Sequence, residues 1–150
     1  MKKKLIVQKF GGTSLASIKK IQKAANIIKK EIKSGNNVVV VVSAIGKTTD
    51  DLQKLINNVD VNGDIKEIDS ILSSGEQISS GLMALALNNI GIKARSFLGW
   101  QVPIITNKHY GKAQILDINA NVLKKTLQKG ITPVIAGFQG IDEYGNITTL

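Results

Sequence analysis

The sequence has no cysteine, two prolines, and a single histidine among its 150 residues. Without cysteine, disulfide scaffolds, thiolate metal sites, paired-thiol redox chemistry and cysteine nucleophiles are excluded together, and a reducing compartment is expected. No apolar run approaches the roughly 20 residues of a membrane-spanning helix; the run Val38 to Val42 is strand-sized. The basic start Met1-Lys2-Lys3-Lys4 is followed by an apolar stretch, Leu5 to Val7, that breaks at Gln8 and Lys9. That is too short for a secretory leader, so a cytoplasmic protein without a membrane partner is expected. Aromatic residues make up only 4%, and Arg95 is the lone arginine in a chain of net charge +9. Base readout favours arginine and base stacking needs aromatics, so the lysines are read as a solvated surface and no nucleic-acid partner is expected. What remains is ordinary globular composition, 43% hydrophobic and 21% charged, in a length that suits one domain.

Leu5 to Phe10 reads as a strand running into a Gly11-Gly12 turn. Apolar Ile18, Ile21, Ala25, Ile28 and Ile32 recur at helical spacing over 17–33, and the β-branched run 38–42 lacks alternation, as a strand buried on both faces does. Strand, helix and buried strand in that order form a βαβ unit and call for a parallel sheet. A helix is expected over 50–59, with helical periodicity from Ile65 to Leu72 and again from Glu76 to Ile90. Strands are expected over 93–98 and 102–106, and Asp117 is placed to cap a helix reaching Lys129. A buried strand over 132–138 follows, then a hairpin around Tyr144-Gly145-Asn146. The chain stops at Thr148-Thr149-Leu150 directly after a strand signal, and so is expected to be part of something longer.

Three short blocks carry chemistry. Lys9-Phe10-Gly11-Gly12-Thr13-Ser14 sits at a strand-to-helix junction, where glycine amides and a lysine make a phosphate cradle; an ordinary Gly-Gly turn with Ser14 or Ser17 as helix cap explains it equally well. Ser43 to Thr49 imitates the end of a P-loop at Gly46-Lys47-Thr48, but Val41 stands where that motif needs glycine. It is instead a hydroxyl-rich loop at the carboxyl end of a buried strand, a ligand position in open α/β sheets, unless Thr49 merely caps the next helix. Ser73-Ser74-Gly75-Glu76 has the spacing of a capping box, with a carboxylate for a substrate ammonium group as the other reading. His109 has no partner suited to a triad or a metal, Trp100 reads as packing, and no metal site is expected.

In this order the blocks resemble the aspartokinases of the amino-acid kinase superfamily. Lys9-Phe10-Gly11-Gly12-Thr13-Ser14 is similar to their N-terminal signature, Val41-Val42-Ser43-Ala44 with Gly46 to Asp50 to their second block, and Ser74-Gly75-Glu76 to their third. Gly111-Lys112-Ala113 and Gly137-Phe138-Gln139-Gly140, with Thr148-Thr149-Leu150, fit the same pattern. The resemblance covers essentially the whole chain. It implies a three-layer α/β/α sandwich on a mainly parallel sheet, and transfer of the γ-phosphoryl of Mg-ATP, a co-substrate, to the β-carboxylate of L-aspartate. Lys9, with Gly11, Gly12, Thr13 and Ser14, would contact the phosphates; Ser43, Thr49, Glu76 and Phe138 would hold aspartate, Glu76 by its α-ammonium. A homo-oligomer is implied for the complete enzyme. The family pattern continues past this sequence with a Gly-Arg-Gly-Gly-Ser-Asp block, an ATP-binding half and ACT regulatory domains. Residues 1–150 are therefore expected to be the aspartate-side lobe, inactive or nearly so alone. A kinase of another acid, such as acetylglutamate or glutamate, and a non-catalytic lysine-rich binding module are the alternatives.

Overall fold

A computed structural model of the chain describes residues 3–150; Met1 and Lys2 of the basic start lie outside them. Strands β1 (Leu5–Phe10), β2 (Asn37–Val42), β3 (Ala94–Phe97) and β6 (Thr132–Ala136) form a sheet in the order β1-β2-β6-β3, with all three pairings parallel. Because side chains alternate along a strand, Val38, Val40 and Val42 of β2 face one way, with Val134 of β6. They pack on Ile21, Ala25 and Ile28 of α1 (Ile18–Lys33) and on Met83 and Leu87 of α3 (Ile65–Asn89). Val39 and Ile135 face the other way, against Phe97, Val102, Ile104 and Leu123, the last from α4 (Asn121–Gln128). Helix, parallel sheet and helix give the expected three layers, and the unbroken valine run of β2 is the strand that serves both.

Between β2 and α3 stands α2 (Thr48–Val59), which packs on α3. A second, mixed sheet is added at the end of the first: β5 (Ile115–Ile118), β4 (Ile104–Thr106), β7 (Gln139–Ile141) and β8 (Ile147–Thr149), in that spatial order. The chain passes from one sheet to the other through Gly137 and Phe138, so the strand expected over 132–138 ends at Ala136. Among the described residues no helix is long and apolar enough to cross a membrane.

Three local readings fail. Asp117 caps no helix: Ile104 pairs with Ile118 and Ile105 with Asp117 in an antiparallel ladder, and α4 begins only at Asn121, whose amide donates to Asn119 Oδ1 at 3.1 Å. The spacing of Ile118 from Val122 imitated a helix, but the open edge of β4 claimed the segment, a tertiary effect that outweighs local periodicity. Nor is there a capping box at Ser73. Helix α3 runs unbroken for 25 residues through Ser73-Ser74-Gly75-Glu76. The serines bond backward inside the helix, Ser73 Oγ to the Ser70 carbonyl at 2.8 Å and Ser74 Oγ to that of Ile71 at 2.6 Å, and so do not break it. Thr49 is likewise no cap, since α2 starts one residue earlier, at Thr48.

The β7–β8 hairpin turns on Asp142. Its Oδ1 accepts from the amides of Tyr144 and Asn146, each at 2.9 Å, and its Oδ2 from the Tyr110 hydroxyl at 2.6 Å and Asn146 Nδ2 at 3.0 Å. Burial opposes ionisation, but these donors prevail and bring the carboxyl down to about 2 from 3.8. A carboxylate with a lowered folded pKa stabilises above its unfolded value and ceases to as pH falls through its folded one. Thermal melts are therefore expected to show stability falling between about pH 4 and about pH 2, with Asp142→Asn less stable above that window and flatter across it. An equal acid slope in both proteins would refute this.

Candidate functional site

The carboxyl ends of β1, β2 and β6 lie side by side, and the segments leaving them converge on the middle of α3. The loop after β1 locks onto the loop after β2: the Ser43 amide donates to the Phe10 carbonyl at 3.0 Å and the Gly46 amide to that of Gly12 at 3.1 Å. A Cβ on Gly12 would stand 2.9 Å from the Ala44 carbonyl oxygen, so only glycine permits this approach. Helix α3 comes equally close from below, where a Cβ on Gly75 would meet the Ala44 methyl at 2.9 Å. Ser79 Oγ ties the same loop down by donating to the Ser43 carbonyl at 2.8 Å.

Glu76 follows that contact. It is only 3% exposed, and its Oε1 accepts the Ala44 amide at 2.9 Å while Oε2 has no partner. Burial is the main influence on this carboxyl and raises its pKa above the usual glutamate value, with the Ala44 amide pulling the other way. A buried, half-paired carboxylate costs stability unless a donor or a cation meets it, which makes Glu76 the chemical focus of the site.

The site is a cavity of about 760 Å³ whose lining includes Lys9, Gly12, Ser43, Thr49, Glu76, Phe138 and Gln139, with Val7, Val39 and Val41 as an apolar floor. Of the residues picked out in the sequence, Lys9, Gly12, Ser43, Thr49, Glu76 and Phe138 are thus brought together. Thr13 and Ser14 are not; they line a separate hollow with Lys20 and Lys23, and the Thr13 carbonyl accepts Lys20 Nζ at 2.8 Å. Gly11 is exposed beside the cavity, with nothing within 4 Å of where a Cβ would stand. Phe138 takes φ of +64°, unusual for a bulky side chain. Two main-chain bonds hold it there, Gly137 N to the Val42 carbonyl and Leu150 N to its own carbonyl, both 2.9 Å. Backbone strain of this kind concentrates where a side chain must be aimed at a ligand.

Sequence reasoning passed over two residues. Gln139 stood inside a quoted block without being singled out. Asp69 falls in step with Leu72 and Glu76 on the inward face of α3, and a carboxylate at an inward helical position was the available signal. It is fully buried and accepts from the Gly111 amide (3.1 and 3.0 Å), the Thr149 amide (2.8 Å) and Thr149 Oγ1 (2.6 Å). It thereby pins β8 and the loop before β5 to α3. Among the described residues no group of three or more His, Asp or Glu side chains is placed to hold a metal ion.

Residues 4–149 match the model of the amino acid kinase family. The chain belongs to the amino acid kinase family. Within it, the chain is 50% identical over 146 residues to an aspartokinase of Bacillus sp. (strain MGA3) and 47% to one of Geobacillus stearothermophilus, with 97% of the chain covered in each case. The chain spans 36% of the length of those two relatives. Among solved structures, the aspartate kinase from Synechocystis superposes with a TM-score of 0.79 at 41% identity, over 97% of this chain and 24% of that one. E. coli aspartokinase III in complex with aspartate and ADP gives 0.82 at 22% identity, over 97% and 43% of the two chains. The fold extends to the carbamate kinase of Giardia, at 0.73 and 14% identity, over 99% and 62%.

Proposed function

We propose that this chain is the amino-acid side of an aspartate kinase, which transfers the γ-phosphoryl of ATP to the β-carboxylate of L-aspartate. The observation that carries the reading is Glu76 Oε2, a buried acceptor without a partner on the wall of a cavity that also holds Lys9. An amino acid with a second carboxylate suits both ends. Its α-ammonium meets Glu76, with Ser43, Thr49 and Phe138 enclosing the body of the molecule, and its β-carboxylate is left toward the lysine side. In the reaction a β-carboxylate oxygen forms a bond to the γ-phosphorus as the bond to the bridging oxygen of ADP breaks. Little covalent chemistry falls to the protein, so positioning and charge stabilisation are its contribution. Lys9 and the Gly11 and Gly12 amides supply positive potential where charge spreads over the transferring oxygens. Magnesium, arriving with the nucleotide, would neutralise the phosphate oxygens. The complete enzyme would be a cytoplasmic homo-oligomer serving amino-acid biosynthesis, toward lysine, threonine and methionine.

The test is thermal unfolding of the 150-residue chain with L-aspartate, glutamate, N-acetylglutamate, UMP or ATP. A ligand at about a hundred times its Kd adds roughly 2.7 kcal/mol of stability, a rise of about 5–11 °C in Tm for a domain of this size. L-aspartate is expected to give that rise, and a coupled assay on the same chain to detect no aspartate-dependent ADP. A rise with another acid but not with aspartate would reassign the substrate, and no rise with any ligand would refute an amino-acid site within this chain.

A further inference from the structure

We propose that Gln139 is a specificity-determining residue of this site, its side-chain oxygen accepting a hydrogen bond from the substrate α-ammonium beside Glu76. The inference rests on the aspartate reading above and adds to it a second acceptor. Gln139 is 1% exposed and lines the same cavity. Its Nε2 donates to the Ser73 carbonyl at 3.0 Å and lies 3.5 Å from the Gly137 carbonyl. Two acceptors on one side fix which way the amide points, and Oε1 is left buried without a donor. Ser73 precedes Glu76 by one helical turn and so shares its face of α3. The grip on Ser73 therefore sets Gln139 beside the carboxylate whose Oε2 is likewise unpaired.

Two buried acceptors on one wall define what may enter. A carboxylate, a phosphate or a carbonyl presents further lone pairs and is repelled, whereas an ammonium group brings three donors and a positive charge. The arrangement is also stiff. A Cβ on Gly140 would come within 2.6 Å of the Ile104 carbonyl oxygen, and one on Gly99 within 3.2 Å of Gln139 Cγ, so β7 is clamped on both sides. A ligand without the ammonium leaves both acceptors unpaired, which is how a polar site rejects an analogue that lacks a donor.

The experiment is an NMR titration of the unmodified chain and Gln139→Leu with L-aspartate and with succinate, which is aspartate without its amino group. Removing a hydrogen bond to a charged group is expected to weaken L-aspartate about 10–100-fold and to leave succinate unchanged. Equal weakening of both ligands, or unchanged aspartate binding, would overturn the inference and leave Gln139 a purely structural residue. A second measurement needs no variant. The side-chain carbonyl carbon of Gln139 in the ¹³C-labelled chain is expected to shift with L-aspartate and to stay in place with succinate. A stationary Gln139 resonance while the Ala44 amide responds to L-aspartate would overturn the inference alone; absence of any L-aspartate response in the unmodified chain would overturn the aspartate reading together with it.

Discussion

Glu76→Gln is expected to weaken L-aspartate binding by about 100-fold or more, and at the same time to raise the Tm of the ligand-free chain. The two effects have one cause. In the empty protein the carboxylate is buried with one oxygen unpaired, and burial raises its pKa. An acid whose folded pKa is raised destabilises the folded state wherever it is ionised, so the penalty is full above that folded pKa. It fades as pH falls through the folded pKa and is gone below the unfolded value of 4.5, where both states hold the proton. Glutamine keeps an oxygen for the Ala44 amide and removes the charge. The Tm gain of the variant is therefore expected at pH 7 and should vanish near about pH 4. In the liganded protein the same charge meets an ammonium, and its removal leaves that cation buried and unpaired. A variant that bound aspartate as tightly as the unmodified chain would refute the assignment, and a Tm gain that persisted into acid would refute its electrostatic origin.

Asp69→Ala is expected to be the most destabilising single change in the chain, by about 3–5 kcal/mol. Deleting this carboxylate orphans three donors, the amides of Gly111 and Thr149 and the Thr149 hydroxyl. Each buried donor without a partner costs about 1–3 kcal/mol. The loss should be anatomical as well as energetic, because these bonds tie β8 and the loop before β5 to α3. Hydrogen exchange is expected to quicken first at Gly111, Ala113 and Thr149, while the valines of β2, in the core of the other sheet, stay protected until global unfolding. Asp69→Asn keeps one acceptor but turns an amide donor toward donors, and should be intermediate. A denaturation midpoint within error of the unmodified chain would refute the account.

The parallel sheet was legible because its evidence is local and redundant. Helical spacing in Ile21, Ala25 and Ile28, and the unbroken valines of β2, each point to one structure only. The failures share a different character. Asp117 read as a helix cap because its segment is short and exposed on every residue, so nothing in the local pattern opposed a helix; the partner that made it a strand, β4, lies ten or so residues away. Ser73 to Glu76 read as a capping box because serine and glutamate serve equally at a helix start and inside a helix that meets a ligand loop. The choice depends on Ala44, brought to Gly75 by the fold.

The candidate site divides in the same way. Lys9, Gly12, Ser43, Thr49, Glu76 and Phe138 could be named from short blocks: all but the Glu76 block, which lies within α3, sit at the end of a strand, and parallel strands deliver their carboxyl ends to one edge. Membership of the amino acid kinase family is written in that order of blocks. Burial is not. That Glu76 and Gln139 each keep one unpaired oxygen, that Asp69 has all its lone pairs engaged, and that Thr13 and Ser14 turn to another hollow follow from atoms up to 80 residues apart meeting. The sequence by itself determined the fold class and the residue types at the edge of the sheet, because periodicity and turn chemistry act over a few residues. Which polar atoms were left without partners was decided by the tertiary structure, because desolvation and hydrogen-bond pairing exist only once distant segments have excluded water from between them.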